Sequence, residues 1–599
     1  MQSKQEIETN NVMRSKKIIL WSAAICCILP TCLLEAGNRK IADVSDKCAG
    51  TKHTSTIIQP NIFHNVEFAK ESTDDTVYQI NNAYKSGNNN NPISPFLLGA
   101  DPTAIEYNGR LYVYATNDQQ QFDATKGQSS NNYSRITSFN VYSTADMTNW
   151  THHGTIDMKA TCPWIYTSWA PSIISRVEKD KKTHFYLYFT NSAGGIGVVT
   201  STSPVGPWKD PLGHALIDGN TRGLGSCSSI IDPGVTLDDE GNGWLTFGGG
   251  NPNNTGSDLQ PGNARIVKLG ANLISLASDI VPIPAPYHFE ANELNFINGK
   301  WVFSYCSSWS SRNAWTSYMR TVGAPSTCSI VYMVSEDPLN PESWKYRDQY
   351  FKNPGNFGYA YGNNHTHIQK FGNNWYIVYH TEWLSNKMGY SGGYRNISIN
   401  KIAVNETLAK IVEGKPTDTG APTITTNTIN PFELQQAETM ANAAGIKVEK
   451  TAKSGNTLVS SIDPGDWILV RNVNFGTDIA NSISLSLKGS GQVEVRLDKI
   501  GNQAIAVCDF SQTVQKVVEV PLTTEVTGKH TIYFLFTKGT TGKFDTWQFT
   551  SEADAINDIT MDSNDNNVNE NIYDITGRRI TTPSQNGIYI INRKKIIIK

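Results

Sequence analysis

Charge is scarce in this 599-residue chain. Asp, Glu, Lys and Arg make up 18% of it, where an ordinary soluble domain has about a quarter. The net charge of −3 leaves no basic surplus for a nucleic-acid face. Metal-type cysteine spacing is also missing. The nine cysteines form no CxxC pair and no Cys/His cluster, which excludes a structural zinc site. Cys26, Cys27 and Cys32 lie near the N-terminus; Cys48, Cys162, Cys227, Cys306, Cys328 and Cys508 are dispersed. Cys306 and Cys328 are a candidate pair in an exported protein. Long apolar runs are absent after Ile18–Leu34, and that one is broken by Pro30, which excludes a polytopic membrane protein. No heptad, collagen or low-complexity pattern runs through the chain. What is abundant is aromatic and polar-neutral: 10% aromatics, with 14 Trp and 25 Tyr. Few charges with many rings suit neutral polar ligands that stack on aromatics, and sugars are the commonest of these.

Arg14, Lys16 and Lys17 precede the single apolar run, and the small residue Ala36 follows it. This is the pattern of a secretory signal over 1–37, with an uncleaved anchor as the alternative. The mature protein is then expected outside the cytoplasm, without a membrane span.

Residues 38–92 are polar and read as a linker and lead-in. From 93 to 412 one unit recurs: a polar start, alternating residues, a Gly or Asn-Gly turn, and an aromatic strand. Its copies open at Ala100-Asp101-Pro102, Trp169-Ala170-Pro171, Ile231-Asp232-Pro233, Phe289-Glu290-Ala291 and Asn364-His365-Thr366, roughly 60–75 residues apart. Alternation across such turns signals hairpins, and hairpins repeated at near-regular spacing signal a β-propeller, here with five blades. Residues 413–432, with Pro416, Pro422 and Pro431, read as a linker. Short strands over 433–550 predict a β-sandwich domain. Residues 551–570 are Asp/Asn-rich and read as a flexible linker, and 571–599 hold two short strands and a basic tail. The fold class is thus all-β, a five-bladed propeller followed by a sandwich.

The innermost strand of each blade lines a central channel, so the repeat starts converge in space. They carry Asp101, Trp169, Asp232, Glu290 and His365. Asp101 lies eight residues before Gly109, Asp232 nine before Gly241 and Glu290 nine before Gly299, a spacing that places three carboxyl groups at equivalent positions. Glu293, only six before Gly299, falls out of that register. Carboxyl groups gathered in one cleft raise at least one pKa. Glycoside hydrolysis needs one protonated and one ionised carboxyl.

These stretches, in order, resemble glycoside hydrolase family 43, the five-bladed propeller glycosidases. Gly99-Ala100-Asp101-Pro102, Ser168-Trp169-Ala170-Pro171, Ser203-Pro204-Val205-Gly206-Pro207-Trp208, Ile231-Asp232-Pro233, Phe289-Glu290, Gly362-Asn363-Asn364-His365 and Gly393-Tyr394-Arg395 carry the likeness, which is strongest to the arabinoxylan arabinofuranohydrolase branch. The resemblance implies an inverting mechanism, with Asp101 as general base, Glu290 as general acid and Asp232 as the carboxylate that tunes the acid. Arg395 resembles the family's active-site arginine, expected to hold Asp232 ionised, and Trp169 an apolar wall against a sugar face. His365 matches a channel histidine near a calcium that is often reached through water. Calcium prefers oxygen, so metal ligand and carboxylate-bonded histidine are both open readings. The resemblance thus implies structural calcium as a cofactor, a plant cell-wall polysaccharide as partner, and a monomer. Its leading activity is removal of α-L-arabinofuranosyl branches from arabinoxylan. β-Xylosidase, endo-xylanase or arabinanase activity is the alternative, and a non-catalytic sugar-binding propeller a second.

Gln436-Ala437-Glu438, Gly465-Asp466-Trp467-Ile468 and Val526-Thr527-Gly528-Lys529-His530 resemble a family 6 carbohydrate-binding module. Its usual sugar cleft looks disarmed: Ser461 replaces a tyrosine, Ser511 to Val514 a tryptophan-bearing loop, and Lys543 a binding asparagine. Glu438 and Asp545 are the candidate calcium ligands there. Trp467 and Trp547 read as core residues. The last ~30 residues are similar to a bacterial type IX secretion sorting domain, which agrees with a secreted or cell-surface bacterial protein.

Overall fold

The computed structural model describes residues 78–551, except 193, 228, 251–258, 320 and 540, together with four short strands between 572 and 598. The signal segment, residues 38–77, Cys48 and most of 551–570 lie outside the described residues.

Five antiparallel sheets follow one another along the chain. Blade 1 comprises Ala100–Tyr107, Arg110–Thr116, Ser138–Thr144 and Trp150–Asp157. Blade 2 comprises Trp169–Val177, Thr183–Thr190, Gly195–Ser201 and Ile217–Asp218. Blade 3 comprises Gly234–Leu237, Gly243–Phe247, Arg265–Lys268 and Val281–Pro282. Blade 4 comprises His288–Ile297, Lys300–Ser307, Ile330–Ser335 and Lys345–Phe351. Blade 5 has three strands, Thr366–Phe371, Asn374–Thr381 and Asn396–Ile402. The Asn108-Gly109 and Asn298-Gly299 turns take positive φ at both residues (49° and 70°, 49° and 75°), the geometry that a tight two-residue hairpin requires.

Each pair of neighbouring blades encloses its own core. Tyr114, Phe139 and Val141 of blade 1 meet Ile173, Leu187 and Phe189 of blade 2. Similar cores join blades 2 and 3, 3 and 4, 4 and 5, and 5 back to 1. Ser138–Thr144, inside blade 1, is buried at all seven positions, with Phe139 and Val141 packed toward blade 2 and Tyr142 toward blade 5. The chain before blade 1 closes the ring along the free edge of blade 5: Ile93 N–H donates to Ile397 O (3.0 Å) and Gly99 N–H to Arg395 O (2.7 Å).

The second domain is one antiparallel sheet system dominated by two long, bulged strands, Trp467–Leu497 and Ala504–Lys538. It encloses a core that includes Phe475, Phe534, Phe544, Trp547 and Phe549. Trp547 is inside that core, and Trp467 is buried with its indole N–H on Asn81 O (2.7 Å). The domain is stitched to the propeller. Thr439–Met440 pairs with Trp150 and Thr151, adding a fifth strand to blade 1. Asn149 and Arg471 exchange two bonds, side-chain amide to carbonyl (2.7 Å) and backbone N–H to amide oxygen (2.9 Å). The segment 413–432 is tied down as well, with Ala421 N–H on Ile399 O (2.8 Å) and Asn427 Nδ2 on Ala145 O (2.8 Å). Near the C-terminus the described strands number four, not two. Lys594–Ile598, in the stretch read as a basic tail, pairs with Gly587–Ile591 because its three consecutive isoleucines favour a strand. No helix among the described residues is long and apolar enough to cross a membrane.

Candidate active site

Four blades open with the same backbone device. A non-glycine residue at the head of the inner strand adopts positive φ: Asp101 (47°), Ala170 (42°), Asp232 (53°) and Ala291 (60°). Such a conformation costs a side-chain-bearing residue about 1 kcal/mol or more. Each is held by a bond to the preceding blade. Asp101 N–H donates to His380 Nδ1 (3.1 Å), Ala170 N–H to Thr116 Oγ1 (2.8 Å), Asp232 N–H to Thr190 Oγ1 (2.8 Å) and Ala291 N–H to Asp232 Oδ2 (2.7 Å).

This device fixes the true register and corrects the expected one. Asp101 and Asp232 are structural equivalents, but the third equivalent is Ala291, eight residues before Gly299 just as Asp101 is eight before Gly109. Glu290 stands one residue earlier, in the position of Trp169. The blade 3 hairpin turns through five residues, 238–242, where blades 1 and 4 use two, and its Gly241 stands fourth in that loop, so counting back from the glycine made Glu290 look aligned. A one-residue offset in a strand turns the side chain away from its neighbours' direction. Glu290 therefore approaches the pocket differently from the two aspartates.

The three carboxyl groups also differ in their partners. Asp101, 8% exposed, is gripped through Oδ1 by Arg395 Nη1 (2.8 Å) and paired with His365 Nδ1 (3.6 Å). Burial opposes its ionisation, but the Arg395 and His365 cations win and hold it well below the usual carboxylate range. Its Oδ2 has no partner among the described residues and is not sealed from solvent. Glu290 has no hydrogen-bond partner among the described residues. Burial, with the nearby Asp232 and Asp101 charges, pushes it up to about 8. Asp232 is also raised, first by burial. At neutral pH the pocket thus holds an ionised Asp101 beside a protonated Glu290.

Arg395 does not pair with Asp232, as had been expected. Its second partner is Asp118, the first residue of helix Asp118–Thr125 and fully buried. Asp118 takes Arg395 Nε and Nη2 (both 2.9 Å) and the Arg395 backbone N–H (2.9 Å). The guanidinium therefore bridges two carboxylates, one orienting it and one oriented by it. Sequence reasoning missed Asp118; its only signal is the Asn117-Asp118 pair that ends the first aromatic strand. His380, whose Nδ1 accepts the Asp101 N–H, was missed as well. Burial and the Arg395 charge lower it to about 3, so it is neutral and donates through Nε2 to Asn363 O (2.9 Å).

Trp169 is half-buried beside the site. Its indole N–H donates to Tyr133 O (3.0 Å), and the Tyr133 ring lies 4.9 Å from the Arg395 guanidinium. Burial works against a proton on His365, but Asp101, Asp232 and Glu293 outweigh it and bring the ring to about 9. His365 Nδ1 faces Asp101 Oδ1 at 3.6 Å, which commits that nitrogen to a carboxylate. Among the described residues no three His, Cys, Asp or Glu side chains are disposed to hold one. These residues do not fit a calcium ligated by His365. The carboxylate-bonded reading fits them. Glu293, out of register in the sequence, is 1% exposed, with Oε2 bonded to His367 Nδ1 (2.9 Å).

Comparison with known proteins identifies the family. The family model for glycosyl hydrolases family 43 matches residues 89–407, and that for carbohydrate binding module (family 6) matches 436–551. An arabinoxylan arabinofuranohydrolase from Bacillus subtilis (strain 168) is 36% identical over 77% of this chain and 92% of its own length. One from Paenibacillus polymyxa is 35% identical over 77% and 74%. The crystal structure of a glycoside hydrolase family 43 arabinoxylan arabinofuranohydrolase from Bacillus subtilis, in complex with cellotetraose, superposes with a TM-score of 0.72 at 35% identity, covering 78% of this chain and 99% of that one. With five blades, the appended module and a pocket of paired carboxyl groups in place, the chain belongs to glycosyl hydrolases family 43 and is a glycosidase.

Proposed function

We propose that this glycosidase removes α-L-arabinofuranosyl branches from arabinoxylan, with inversion, outside the cell. The observation that carries the reading is the split between two carboxyl groups in one pocket, Glu290 up at about 8 and Asp101 held ionised by Arg395. Asp101, through its open oxygen, takes the proton of the attacking water. Glu290 gives its proton to the departing xylose oxygen, and Asp232 stands by as the charge that keeps Glu290 protonated. The relatives of the same two-domain make-up, named for arabinoxylan, support the sugar. On aryl glycosides, arabinofuranoside cleavage should exceed xyloside cleavage by at least tenfold, and arabinose should be released from arabinoxylan with the inverted anomer seen first by proton NMR. A preference for the xyloside would reassign the substrate; a retained anomer would reassign the mechanism.

We propose a calcium in the second domain, where the donor set suits it. Gln436 Oε1, Glu438 Oε2 and Asp545 Oδ1 are buried oxygens without a partner among the described residues. The strands bring them together, since Ala437 N–H donates to Asp545 O (2.8 Å) and Gln436 pairs with Thr546. Burial, aided by the Asp545 charge, pushes Glu438 up to about 8, as for a carboxylate lacking its counter-ion. Hard oxygen donors suit calcium. Chelation should lower Tm by a few degrees, since a ligand at about a hundred times its Kd adds roughly 2.7 kcal/mol. Calcium should restore it, and Glu438→Gln should abolish the response. An unchanged Tm in the wild type would remove the metal from this reading. Lys543, where a sugar-binding asparagine was expected, is ion-paired to Glu449, in keeping with a module whose role is structural.

A further inference from the structure

Cys306 and Cys328 have no part in the proposed chemistry, yet they sit directly behind it. Both are buried, and their sulfurs are 3.5 Å apart. Of the five described cysteines, no other two are in contact. Cys306 lies on Lys300–Ser307, where it is the cross-strand partner of Glu290. Cys328 Sγ donates to the carbonyl of Gly362 (3.6 Å), three residues before His365. Cys328 leads into strand Ile330–Ser335, and its carbonyl takes the side-chain amide of Asn364 (3.1 Å). The pair thus touches the supports of both Glu290 and His365. It also spans the base of the 307–327 loop. That loop is already knotted by Arg312, whose Nη2 donates to Ser308 O (2.7 Å) and Ser326 O (3.1 Å).

We propose that Cys306 and Cys328 are a disulfide-forming pair, whose cross-link clamps the 307–327 loop to the back of the Glu290 strand. A disulfide needs the sulfurs at about 2.05 Å, so they have about 1.5 Å left to close, which side-chain rotation can supply. The oxidant is an oxidised low-molecular-weight thiol such as glutathione disulfide. One cysteine thiolate attacks it, forming a mixed disulfide and releasing one glutathione thiolate. The second cysteine thiolate attacks the protein-side sulfur of that mixed disulfide, closing the cross-link and releasing the other glutathione thiolate. The two protons lost by the cysteines end on the two glutathiones. Burial pushes the Cys306 thiol well above its ordinary value, so exchange takes place as the chain folds or when the loop opens, not on the closed enzyme.

The test refolds the full chain in a glutathione redox buffer, traps it with an alkylating agent and maps the unreduced digest by mass spectrometry. The expected result is a cross-linked peptide joining Cys306 to Cys328. A loop of this length should also give a Tm higher by roughly 5 °C than that of the same protein in dithiothreitol. That difference should vanish in Cys328→Ser and in Cys306→Ser. The map is read on the wild type, so it stands even where a variant folds poorly. Recovery of both cysteines as alkylated monomers, or cross-linked only to other cysteines, would overturn the assignment. A Tm difference that survives in both serine variants would overturn the clamp.

Discussion

Replacing Glu290 with glutamine should lower kcat/KM on arabinoxylan by about 10²–10⁴-fold, the usual worth of a positioned proton donor. The variant keeps the shape of the side chain and loses only its proton. The deficit should therefore shrink sharply on aryl arabinofuranosides with acidic phenol leaving groups, which depart without help. The wild-type pH profile supplies a second readout. The reactive form of Glu290 is the protonated one and its affinity for the proton is raised to about 8, so activity is present below that value and lost as pH climbs through it. In the glutamine variant that alkaline limb should disappear. Equal losses on polymer and on activated aryl substrates would show that Glu290 is not the proton donor.

Asp101→Asn should be comparably damaging, but on every substrate alike, because attack by water needs a base whatever the leaving group. Arg395→Gln tests how that base is kept ready. With Arg395 in place Asp101 remains ionised below the ordinary aspartate value of about 3.9, so no acid limb from this group is expected above it. Removing the guanidinium takes away the largest influence that opposes burial and leaves chiefly His365 against it, so the proton affinity of Asp101 rises. An acid limb should then move up into the measured range, with activity lost as pH falls through it, while the alkaline limb set by Glu290 stays. An Arg395→Gln profile that merely scales down, with both limbs unmoved, would assign Arg395 to sugar binding and not to Asp101.

The blade count was legible because propeller strands carry strong local signals, namely Asn-Gly turns, aromatic strands and polar starts; those starts supplied five of the six candidate site residues, and the family resemblance supplied Arg395. Five of the six share the carboxylate pocket, and Trp169 borders it through Tyr133. Long-range pairing was not legible. Nothing near Asp118 shows that an arginine 277 positions later will be its partner. Nothing near His380 shows that its ring will cap the Asp101 amide. The alignment of Glu290 failed for a related reason. The first hairpin turn is two residues long in blades 1, 4 and 5 and five in blades 2 and 3, and only the positive-φ residue, a backbone property, marks the true starting point of the strand. A bulge on each side of Glu290 also resets which residues face inward, so Glu293, out of register in the sequence, is buried all the same.

The strand that Thr439–Met440 lends to the rim of blade 1 bears on how this enzyme can be taken apart. Catalytic and accessory halves are often treated as beads that can be cut and re-threaded. Here a cut after residue 412 would strip the propeller of its outermost strand, leave the N–H and C=O groups of Trp150 and Thr151 facing water, and bare a sticky border ready to recruit another chain. The appended domain thus covers an otherwise open border of the ring, and a shortened enzyme is expected to self-associate there before any loss of sugar affinity comes into play.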